Sequence, residues 1–459
     1  MTLIKSISGI RGTIGGIPGD NLTPIDLVKF ASAYGTWLKR KKGSGKLKIV
    51  LGRDARISGE MADQIVTASI RGLGIDVIQT GLVSTPTVEM AVRENSADGG
   101  IILTASHNPA NWNALKLLNE KGEFVSARDG VEIMQISDNE SIEFSDVYSL
   151  GGINFDNEAG SRHIKSILDL DLVDTGSIAG ADFTIVIDGI NSVGGIIVPE
   201  LLKQLGIKRI IKLNCNPDGN FSHNPEPLPE NLAELSDLVV KEKADLGFAV
   251  DPDVDRLVVI NEDGSMFGEE YTLVAVADYI LKHRPGNTVS NLSSTRALKD
   301  ITEKYGMKYF TAAVGEVNVV EKMKSVNAVI GGEGNGGVIY PDLHYGRDAL
   351  VGIALFLSHL SVTGNKCSEL RKSFPEYFIY KLKTAISSEV ALKETINKIR
   401  KQYGAFSINE EDGLKIDFPD GWVHLRKSNT EAIVRVISES TTKEKAVQLA
   451  SGILQYLQG

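Results

Sequence analysis

The chain repeats one α/β pattern three times, and this repeat restricts its fold more than any other feature. In each copy an apolar strand leads through a turn into a helix that ends near a glycine, and a later apolar strand runs into a distinctive loop. The first strands of the copies are expected over residues 47–51, 183–187 and 287–290. Strands that alternate with helical patterns predict parallel or mixed sheets covered by helices.

The part of the chain beyond the repeat has a different pattern. A helical segment over residues 389–403 precedes short strands at 414–418, 421–425 and 432–437 and a last helix over 443–457. We therefore predict an α/β protein: three similar α/β domains with mixed sheets, over residues 1–155, 156–260 and 261–372, and a smaller α+β domain over 373–459. Many α/β units share this pattern. The equivalent placement of three chemically distinct loops nevertheless suggests that the domains surround one central cleft.

The loop that ends the first repeat contains the most informative serine. Residues 104–111 read Thr-Ala-Ser-His-Asn-Pro-Ala-Asn and follow the apolar run 100–103, which predicts a buried strand. Open α/β sheets place their chemistry at the carboxyl ends of such strands. Ser106 lacks a G-x-S-x-G context, so acyl transfer is not the first interpretation. The alternative is a serine that carries a phosphoryl group, which needs a cation because it holds a charge of about −1.5 to −2.

The second repeat ends in three carboxylates, Asp251, Asp253 and Asp255, after the strand-like run 246–250. Alternation along an extended segment places these side chains on one side, and unpaired buried charge would be very costly. Mg²⁺ commonly binds carboxylate oxygens together with a phosphate oxygen. The calcium-loop pattern does not fit, because its sixth position holds no glycine. A solvated acidic turn is the alternative, but three acids at this spacing favour a metal site that a phosphate on Ser106 would complete.

Composition limits the classes of protein that the chain can represent. Its net charge is −10, whereas nucleic-acid-binding proteins carry a basic surface. No apolar run approaches the roughly 20 residues of a membrane span, and the first residues lack the pattern of a signal peptide. The two cysteines, Cys215 and Cys367, provide no disulfide framework. We expect a cytoplasmic enzyme, monomeric or homodimeric, that binds neither nucleic acid nor membrane.

Motifs spread over most of the chain together resemble the α-D-phosphohexomutase family, which includes phosphoglucomutases, phosphomannomutases and phosphoglucosamine mutases. Besides the serine loop and the acidic loop, they are Gly9-Ile10-Arg11-Gly12, Gly332-Glu333-Gly334-Asn335-Gly336 and Arg426-Lys427-Ser428-Asn429-Thr430-Glu431. The resemblance implies a four-domain enzyme that uses Mg²⁺ and a hexose 1,6-bisphosphate activator. Such an enzyme moves a phosphoryl group between two positions of a sugar phosphate through a phosphoserine and a bisphosphate intermediate.

The resemblance also implies roles for individual residues around the reacting group. Ser106 carries the phosphoryl group and Arg11 contacts it, while His107 positions it or contacts phosphate. Lys116 lies close to the serine and either neutralises charge or, if its pKa is lowered, acts as an acid or base.

The resemblance assigns the remaining residues to substrate binding. The loop after the third repeat contacts the sugar through Gly332, Glu333 and Asn335, and Glu316 is expected nearby as a base or sugar contact. The segment 345–348 is expected either to help close the cleft or simply to begin a helix. The phosphate that is not transferred is expected to bind a group of residues in the last domain: Arg426, Ser428, Asn429, Thr430 and Arg435.

Departures from the family pattern bear on the choice of sugar. Family members usually have Ser where Asn335 stands and His where Gly337 stands, and the form found here resembles archaeal-type phosphoglucosamine mutases. An amino group at C2 of the sugar suits Glu333 and the Asn335 carbonyl, so glucosamine phosphate is the favoured substrate. A phosphoglucomutase or phosphomannomutase is the alternative. A phosphatase and a non-catalytic phosphosugar-binding protein are weaker hypotheses.

Overall fold

The computed structural model describes residues 2–6, 9–43, 45–139, 141–385, 389–427 and 433–458. Its strands form four sheets, and helices pack against each of them. The architecture is the predicted one: three α/β domains with mixed sheets and a smaller α+β domain. Within these ranges, no helix is both long and apolar enough to cross a membrane.

The first domain is built on the largest sheet of the described chain. Its strands are β1 Ile4–Ser6, β2 Gly9–Thr13, β3 Lys48–Arg53, β4 Asp76–Leu82, β5 Gly99–Leu103, β6 Trp112–Leu118 and β7 Ile153–Phe155. Its helices are α1 Pro24–Lys42, α2 Gly59–Gly72, α3 Thr85–Glu94 and α4 Ala127–Asn139, followed by a short 3₁₀ helix, Val147–Ser149. The strands are ordered β1-β2-β6-β5-β3-β4-β7.

The second and third domains each contain a four-stranded sheet. The second has α5 Ala159–Leu168, α6 Thr175–Gly180, β8 Thr184–Asp188, α7 Gly194–Gln204, β9 Arg209–Leu213, a 3₁₀ helix Pro229–Asn231, α8 Ala233–Glu242, β10 Leu246–Val250 and β11 Leu257–Asn261. The third has α9 Glu269–His283, β12 Asn287–Asn291, α10 Ala297–Lys304, β13 Tyr309–Ala312, α11 Glu316–Val326, β14 Ala328–Glu333, β15 Gly337–Ile339, α12 Ala349–Thr363 and α13 Cys367–Lys372.

The three sheets share one topology, as the sequence repeat predicts. The orders β6-β5-β3-β4, β11-β10-β8-β9 and β15-β14-β12-β13 are equivalent, with three parallel strands and one antiparallel strand in each. The prediction that each repeat ends with the strand before its loop was wrong. β5, β10 and β14 are each followed by an antiparallel partner strand. Each of the three loops therefore joins the two strands of a β-hairpin.

Burial explains why these strands are apolar along their whole length. Every residue of β5 and β10 is buried, since helices cover both faces of the sheets. One continuous apolar core extends through the second and third domains and includes α12, which is buried from Ala349 to Leu360. Asp348 caps this helix by accepting hydrogen bonds from the backbone N–H groups of Leu350 and Val351.

The fourth domain is a five-stranded antiparallel sheet packed against two helices. Its elements are β16 Phe378–Ala385, α14 Glu389–Gln402, β17 Ser407–Asn409, β18 Leu414–Phe418, β19 Gly421–Lys427, β20 Ile433–Ser440 and α15 Lys443–Gln458, with strand order β16-β20-β19-β18-β17. The predicted helices and three strands are present. The two outer strands, β16 and β17, were not predicted.

Candidate active site

The three hairpin loops lie against one another. The Ser106 hydroxyl donates a hydrogen bond to Asp251 Oδ2 at 2.6 Å, which joins the first loop to the second. The backbone N–H of Leu257 donates to the carbonyl oxygen of Gly336 at 3.0 Å, which joins the second loop to the third. Residues more than 140 positions apart in the chain thus form one site.

Ser106 is held in a strained backbone conformation. Its φ of 48° lies in the left-handed region, which is uncommon for a residue with a side chain, and Val254 in the neighbouring loop has a φ of 61°. Strain of this kind persists only where surrounding contacts fix the backbone, as at many functional sites.

Arg56 supplies contacts that fix the serine loop, and the sequence did not reveal it. Its guanidinium is buried and donates to the carbonyl oxygens of Ser106 and Asn108, while Asp54 accepts from Arg56 Nε at 3.0 Å. Asp54 also accepts from the Thr104 hydroxyl at 2.6 Å. An arginine three residues after a strand has many possible roles, so only the fold identifies this one.

The three aspartates of the second loop form a compact oxygen cluster. All are fully buried, and they can present one oxygen each within 4.8 Å of one another. Asp251 Oδ1 accepts from the backbone N–H groups of Asp255 and Arg256, both at 3.1 Å. Burial, followed by the charges of Asp255 and Asp253, raises the pKa of Asp251 well above its ordinary value. This repulsion is what a bound cation would remove.

The donor set fits a hard divalent cation. Oδ1 of Asp253 and Oδ1 of Asp255 are buried and accept no hydrogen bond from the described part of the chain. Buried carboxylate oxygens left without partners are costly, and hard cations bind such oxygens. The aspartates and the Ser106 oxygen, or a phosphate on it, are therefore candidate metal ligands.

Lys116 lies directly beside this cluster, on β6. Its Nζ donates to Asp253 Oδ2 at 2.6 Å and is 3.4 Å from Asp255 Oδ2. Burial alone would lower the pKa of Lys116, but the two carboxylates outweigh it and hold the pKa above its ordinary value. Of the two expected roles, the structure thus favours a fixed positive charge over a base.

Further cations lie close to His107, the residue that follows the serine. Burial, followed by the positive charges of Arg256 and Arg11, lowers the pKa of His107 well below its ordinary value, so its imidazole is neutral. His107 Nδ1 lies 3.4 Å from Ser106 Oγ. Burial and the nearby Arg256 and Arg347 also lower the pKa of Arg11. The concentration of cations in an acidic protein indicates a site for an anion.

Arg347 connects the loop at residues 251–255, here called the metal loop, to the loop at residues 332–337, here called the sugar loop. It was not among the predicted site residues. It donates to Asp255 Oδ2 at 2.6 Å, to Glu333 Oε2 at 2.9 Å and to Glu316 Oε2 at 3.0 Å. Gly337 leaves the space for it, because a Cβ at that position would lie 2.4 Å from Arg347 Cδ.

Glu333 is held as an ionised acceptor at the end of β14. Burial would raise its pKa, but Arg347 and the amide of Asn291 hold it below the ordinary value. Asn291 Nδ2 and the Gly315 N–H both donate to Oε1, at 2.9 and 3.1 Å. An ionised carboxylate offers about four acceptor positions, so one position on Oε2 has no donor among the described residues.

The other predicted sugar-loop residues lie in the same region. Gly332 has a φ of 159° at the end of β14, and Asn335 Oδ1 accepts from the Gly337 N–H at 3.2 Å. Glu316 begins α11, and burial raises its pKa. The structure thus brings Glu316, Glu333 and Asn335 together around Arg347.

The fourth domain presents a row of cations across three strands. Arg426 on β19 pairs in register with Arg435 on β20, which pairs in turn with Lys383 on β16. Like charges directly opposite one another destabilise a sheet, which indicates an anion-binding position. Arg426 Nε donates to Asp412 Oδ2 at 2.9 Å, while its buried Nη2 has no hydrogen-bond partner among the described residues. Predicted Ser428, Asn429 and Thr430 lie outside the described residues.

Comparisons with known proteins agree with this fold and site. The phosphoglucomutase/phosphomannomutase family matches in four parts: its alpha/beta/alpha domains I, II and III over residues 4–143, 161–264 and 268–378, and its C-terminal domain over residues 386–455. A solved structure of a phosphoglucomutase/phosphomannomutase family protein from Burkholderia thailandensis has a TM-score of 0.85 and 25% identity, over 98% of this chain and 96% of that one.

Two curated relatives span nearly the whole chain. A phosphoglucomutase/phosphomannomutase of Thermococcus kodakarensis is 34% identical, over 95% of each chain. A phosphoglucosamine/phosphogalactosamine mutase of Sulfurisphaera tokodaii is 31% identical, over 98% of this chain and 99% of the relative. The chain therefore belongs to the phosphoglucomutase/phosphomannomutase family and is an enzyme of the phosphohexomutase class.

Proposed function

We propose that this enzyme interconverts the 1-phosphate and 6-phosphate of a hexosamine or hexose through phosphoserine 106, with glucosamine phosphate as its preferred substrate. The observation that carries the proposal is the 2.6 Å hydrogen bond between Ser106 and Asp251. It brings a loop serine to a buried carboxylate cluster surrounded by cations, which is the arrangement that phosphoryl transfer needs. Such transfer depends mainly on positioning and on electrostatic stabilisation.

In the proposed first step, the phosphoryl group on Ser106 passes to a free hydroxyl of the sugar monophosphate. The bond between phosphorus and Ser106 Oγ breaks, and a bond between phosphorus and the sugar oxygen forms. The proton that the sugar hydroxyl gives up ends on Ser106 Oγ, which leaves as a neutral hydroxyl. The resulting bisphosphate turns within the cleft and returns its other phosphoryl group to Ser106. A hexose 1,6-bisphosphate activator would phosphorylate enzyme that has lost the group.

Residues of the chain would stabilise this transfer with fixed charge. Lys116 and Arg11 would face the phosphoryl oxygens, and neutral His107 would orient the group without adding charge. Asp251, Asp253 and Asp255 would hold Mg²⁺ together with an oxygen of phosphoserine 106. When bound, Mg²⁺ supplies positive charge that neutralises the phosphoryl oxygens. Arg426 and Arg435 would bind the phosphate that is not transferred in either substrate orientation.

The preference for an amino sugar rests on charge around Arg347. Besides Asp255, which is assigned to Mg²⁺, the carboxylates of Glu316 and Glu333 contact this single guanidinium within 3.0 Å. The excess of negative charge suits the ammonium group that C2 of glucosamine carries near neutral pH. Glu333 Oε2 retains an acceptor position for it, and Asn335 offers a carbonyl oxygen. The name of the Sulfurisphaera relative agrees with this choice.

Glucose or mannose phosphate is the alternative substrate, since a C2 hydroxyl would also donate to Glu333. The discrimination expected from one such contact is about 1–3 kcal/mol. A non-catalytic phosphosugar-binding protein does not agree with membership in the phosphohexomutase class, and binding alone requires neither the strained serine nor the three aspartates.

The phosphoserine is tested by intact mass and by activity. We expect a phosphoryl adduct that maps to residues 104–111, and Ser106→Ala should lose both the adduct and mutase turnover. Ser325→Ala, at an exposed serine on α11, serves as the matched control and should keep both. Full turnover in Ser106→Ala would rule out the covalent mechanism.

A substrate panel tests the sugar preference separately. The ratio of kcat/KM for glucosamine 1-phosphate to that for glucose 1-phosphate and mannose 1-phosphate should exceed one in both comparisons. A ratio well below one in either would assign the enzyme to the alternative substrates and leave the mutase mechanism intact.

A further inference from the structure

A second cluster of metal-ligating side chains lies apart from the three aspartates, where the first three domains meet. His163 on α5, His344 before α12 and Asp348 at the start of α12 can present one ligand atom each within 4.8 Å of one another. His163 and Asp348 are fully buried and His344 is 3% exposed. The three residues come from two domains, and α3 of the first domain covers them.

Both imidazole rings direct the same nitrogen at one carboxylate oxygen. His163 Nε2 lies 2.9 Å and His344 Nε2 lies 3.3 Å from Asp348 Oδ2. In a tetrahedral zinc site with bonds of 2.0–2.1 Å, neighbouring ligand atoms are about 3.3 Å apart. The other oxygen of Asp348 is occupied by the helix cap, so Oδ2 alone faces the two rings.

The far side of each ring has the acceptor that a metal-bound histidine requires. His163 Nδ1 lies 3.0 Å from Thr87 Oγ1, and His344 Nδ1 lies 3.3 Å from Glu89 Oε2. Histidines that bind a metal through one nitrogen usually donate the N–H of the other to a carboxylate or another oxygen, which fixes the ring orientation. Thr87 and Glu89 are both on α3 and could fill this role.

Glu89 is a second buried carboxylate at this cluster, and it lies in ion-pair distance of His344. It is 1% exposed, and neither of its carboxylate oxygens makes a hydrogen bond within the described ranges of the chain. The same holds for His344 Nδ1, which faces Glu89. These two buried carboxylates need positive charge beside them, which either an imidazolium at His344 or a cation between the two Nε2 atoms supplies.

We propose that His163, His344 and Asp348 bind one divalent d-block cation of the zinc class, with Glu89 and Thr87 as hydrogen-bond acceptors for the two rings. Two imidazoles and a carboxylate are ligands that such cations prefer, whereas Mg²⁺ selects oxygen atoms. With the cation on both Nε2 atoms, both Nδ1 atoms carry protons and donate to Glu89 and Thr87. The charge of +2 then balances the two buried carboxylates, Asp348 and Glu89.

The site would join three domains without entering the phosphoryl-transfer chemistry. The bound cation would link α5 of the second domain to α12 of the third. The hydrogen bonds from the two rings to Glu89 and Thr87 would link both helices to α3 of the first domain. Asp348 directly follows Arg347, so the cation would also fix the backbone beside the sugar loop.

The test uses the full-length enzyme, loaded with Zn²⁺ and then dialysed against excess Mg²⁺. Elemental analysis should find about one Zn²⁺ per chain, and X-ray absorption at the zinc edge should show imidazole ligands. With Co²⁺ as the probe, visible d–d absorption should appear, and it should be lost in His163→Asn and in His344→Gln. Asp253→Asn, which alters the aspartate cluster, and His359→Gln, at another buried histidine, should keep it.

The wild-type measurements keep the test decisive even if a histidine variant fails to fold. Absence of retained Zn²⁺, or zinc coordinated by oxygen atoms alone, would overturn the proposal and leave the cluster a hydrogen-bonded contact between domains. Persistence of the Co²⁺ spectrum in both folded histidine variants would do the same.

Discussion

Arg347 shows how one side chain can organise the sugar side of the site. It contacts one carboxylate from each of three segments that are distant in sequence, and it is able to do so because residue 337 is glycine. Gly337 thus allows a guanidinium from the segment before α12 to reach the loop that follows β14.

We expect Arg347→Met to reduce both activity and stability. Removing one partner from a buried ionic network leaves uncompensated charge and costs about 3–5 kcal/mol, and kcat/KM should fall at least 100-fold because Glu333 loses its orientation. Steady-state kinetics and urea denaturation measure the two effects. Gly337→Ala should lower kcat/KM less, by displacing Arg347.

Arg284→Met is the matched control, since Arg284 forms an exposed pair with Asp342. It should leave both quantities near their wild-type values. If Arg347→Met also left kcat/KM unchanged, Arg347 would have no part in substrate recognition.

Local pattern decides which site residues a sequence can reveal. Ser106 and the three aspartates were predicted because each follows an apolar run and stands in a spacing that few other roles explain. Arg56 and Arg347 were not, because their partners lie 50 and 92 positions away in the serine and metal loops. Only the folded chain shows which oxygens an arginine contacts.

At the scale of secondary structure, apolar central strands were predicted and short or mixed ones were not. β10 and β18 have the predicted bounds, and β5 begins one residue earlier than predicted. β1 and β17 contain three residues each, too few for a periodic pattern, and β16 alternates lysines with half-buried residues at the sheet edge. The antiparallel partners β6, β11 and β15 also escaped prediction, although they complete each hairpin loop.

The cation row of β16, β20 and β19 gives a prediction at this scale. Arg426→Ala should raise KM roughly tenfold to a hundredfold with a smaller effect on kcat, since hydrogen bonds to charged groups contribute about 1.5–3 kcal/mol. Bisphosphate should also escape more often, because the contact must form again after the intermediate turns. Kinetics and product analysis measure both effects.

Lys445→Ala provides the comparison in the same domain, because Lys445 pairs with Asp420 at the surface. Its KM should stay near the wild-type value. An unchanged KM and no released bisphosphate in Arg426→Ala would show that this row of cations does not bind the substrate phosphate.

At the scale of the whole molecule, the aspartate loop fastens the first domain to the second. Asp253 accepts from Lys116 and Thr85 of the first domain, both at 2.6 Å, and Asp251 accepts from Ser106. We expect chelation to abolish turnover and to lower the unfolding temperature by a few degrees, since a ligand at 100 times its Kd stabilises by about 2.7 kcal/mol. Scanning calorimetry with and without Mg²⁺ measures the shift.

Substitution of Asp253 distinguishes stabilisation by a bound Mg²⁺ ion from a general effect of salt on stability. Asp253→Asn should lose the response to Mg²⁺, and Asp263→Asn, in an exposed turn of the same domain, should retain it. Normal activity and normal metal dependence in Asp253→Asn would show that this cluster is not the Mg²⁺ site.

The junction between the third and fourth domains depends on a buried histidine. His424 on β19 donates from Nε2 to the carbonyl oxygen of Asp412 at 2.6 Å and accepts at Nδ1 from the Ser293 hydroxyl at 2.8 Å. Ser293 belongs to the third domain. Arg296 reinforces this contact by donating to the carbonyl oxygens of Phe418 and Gly421.

Protonation of His424 should therefore weaken the contact between these domains at acidic pH. Burial lowers the pKa of His424 from 6.5 to about 4, so the unfolded chain binds a proton in this range and the folded chain does not. The contribution of His424 to stability is then complete above pH 6.5 and declines as the pH falls towards 4, by at most about 3 kcal/mol. The midpoint of urea denaturation is measured at pH 7.5, 5.5 and 4.5, chosen to span roughly this range. As the pH falls, the midpoint should decrease less in His424→Gln than in wild type. The control His283→Gln, at an exposed histidine, should show the same pH dependence as wild type. An equal pH dependence of the midpoint in all three proteins would contradict the assignment.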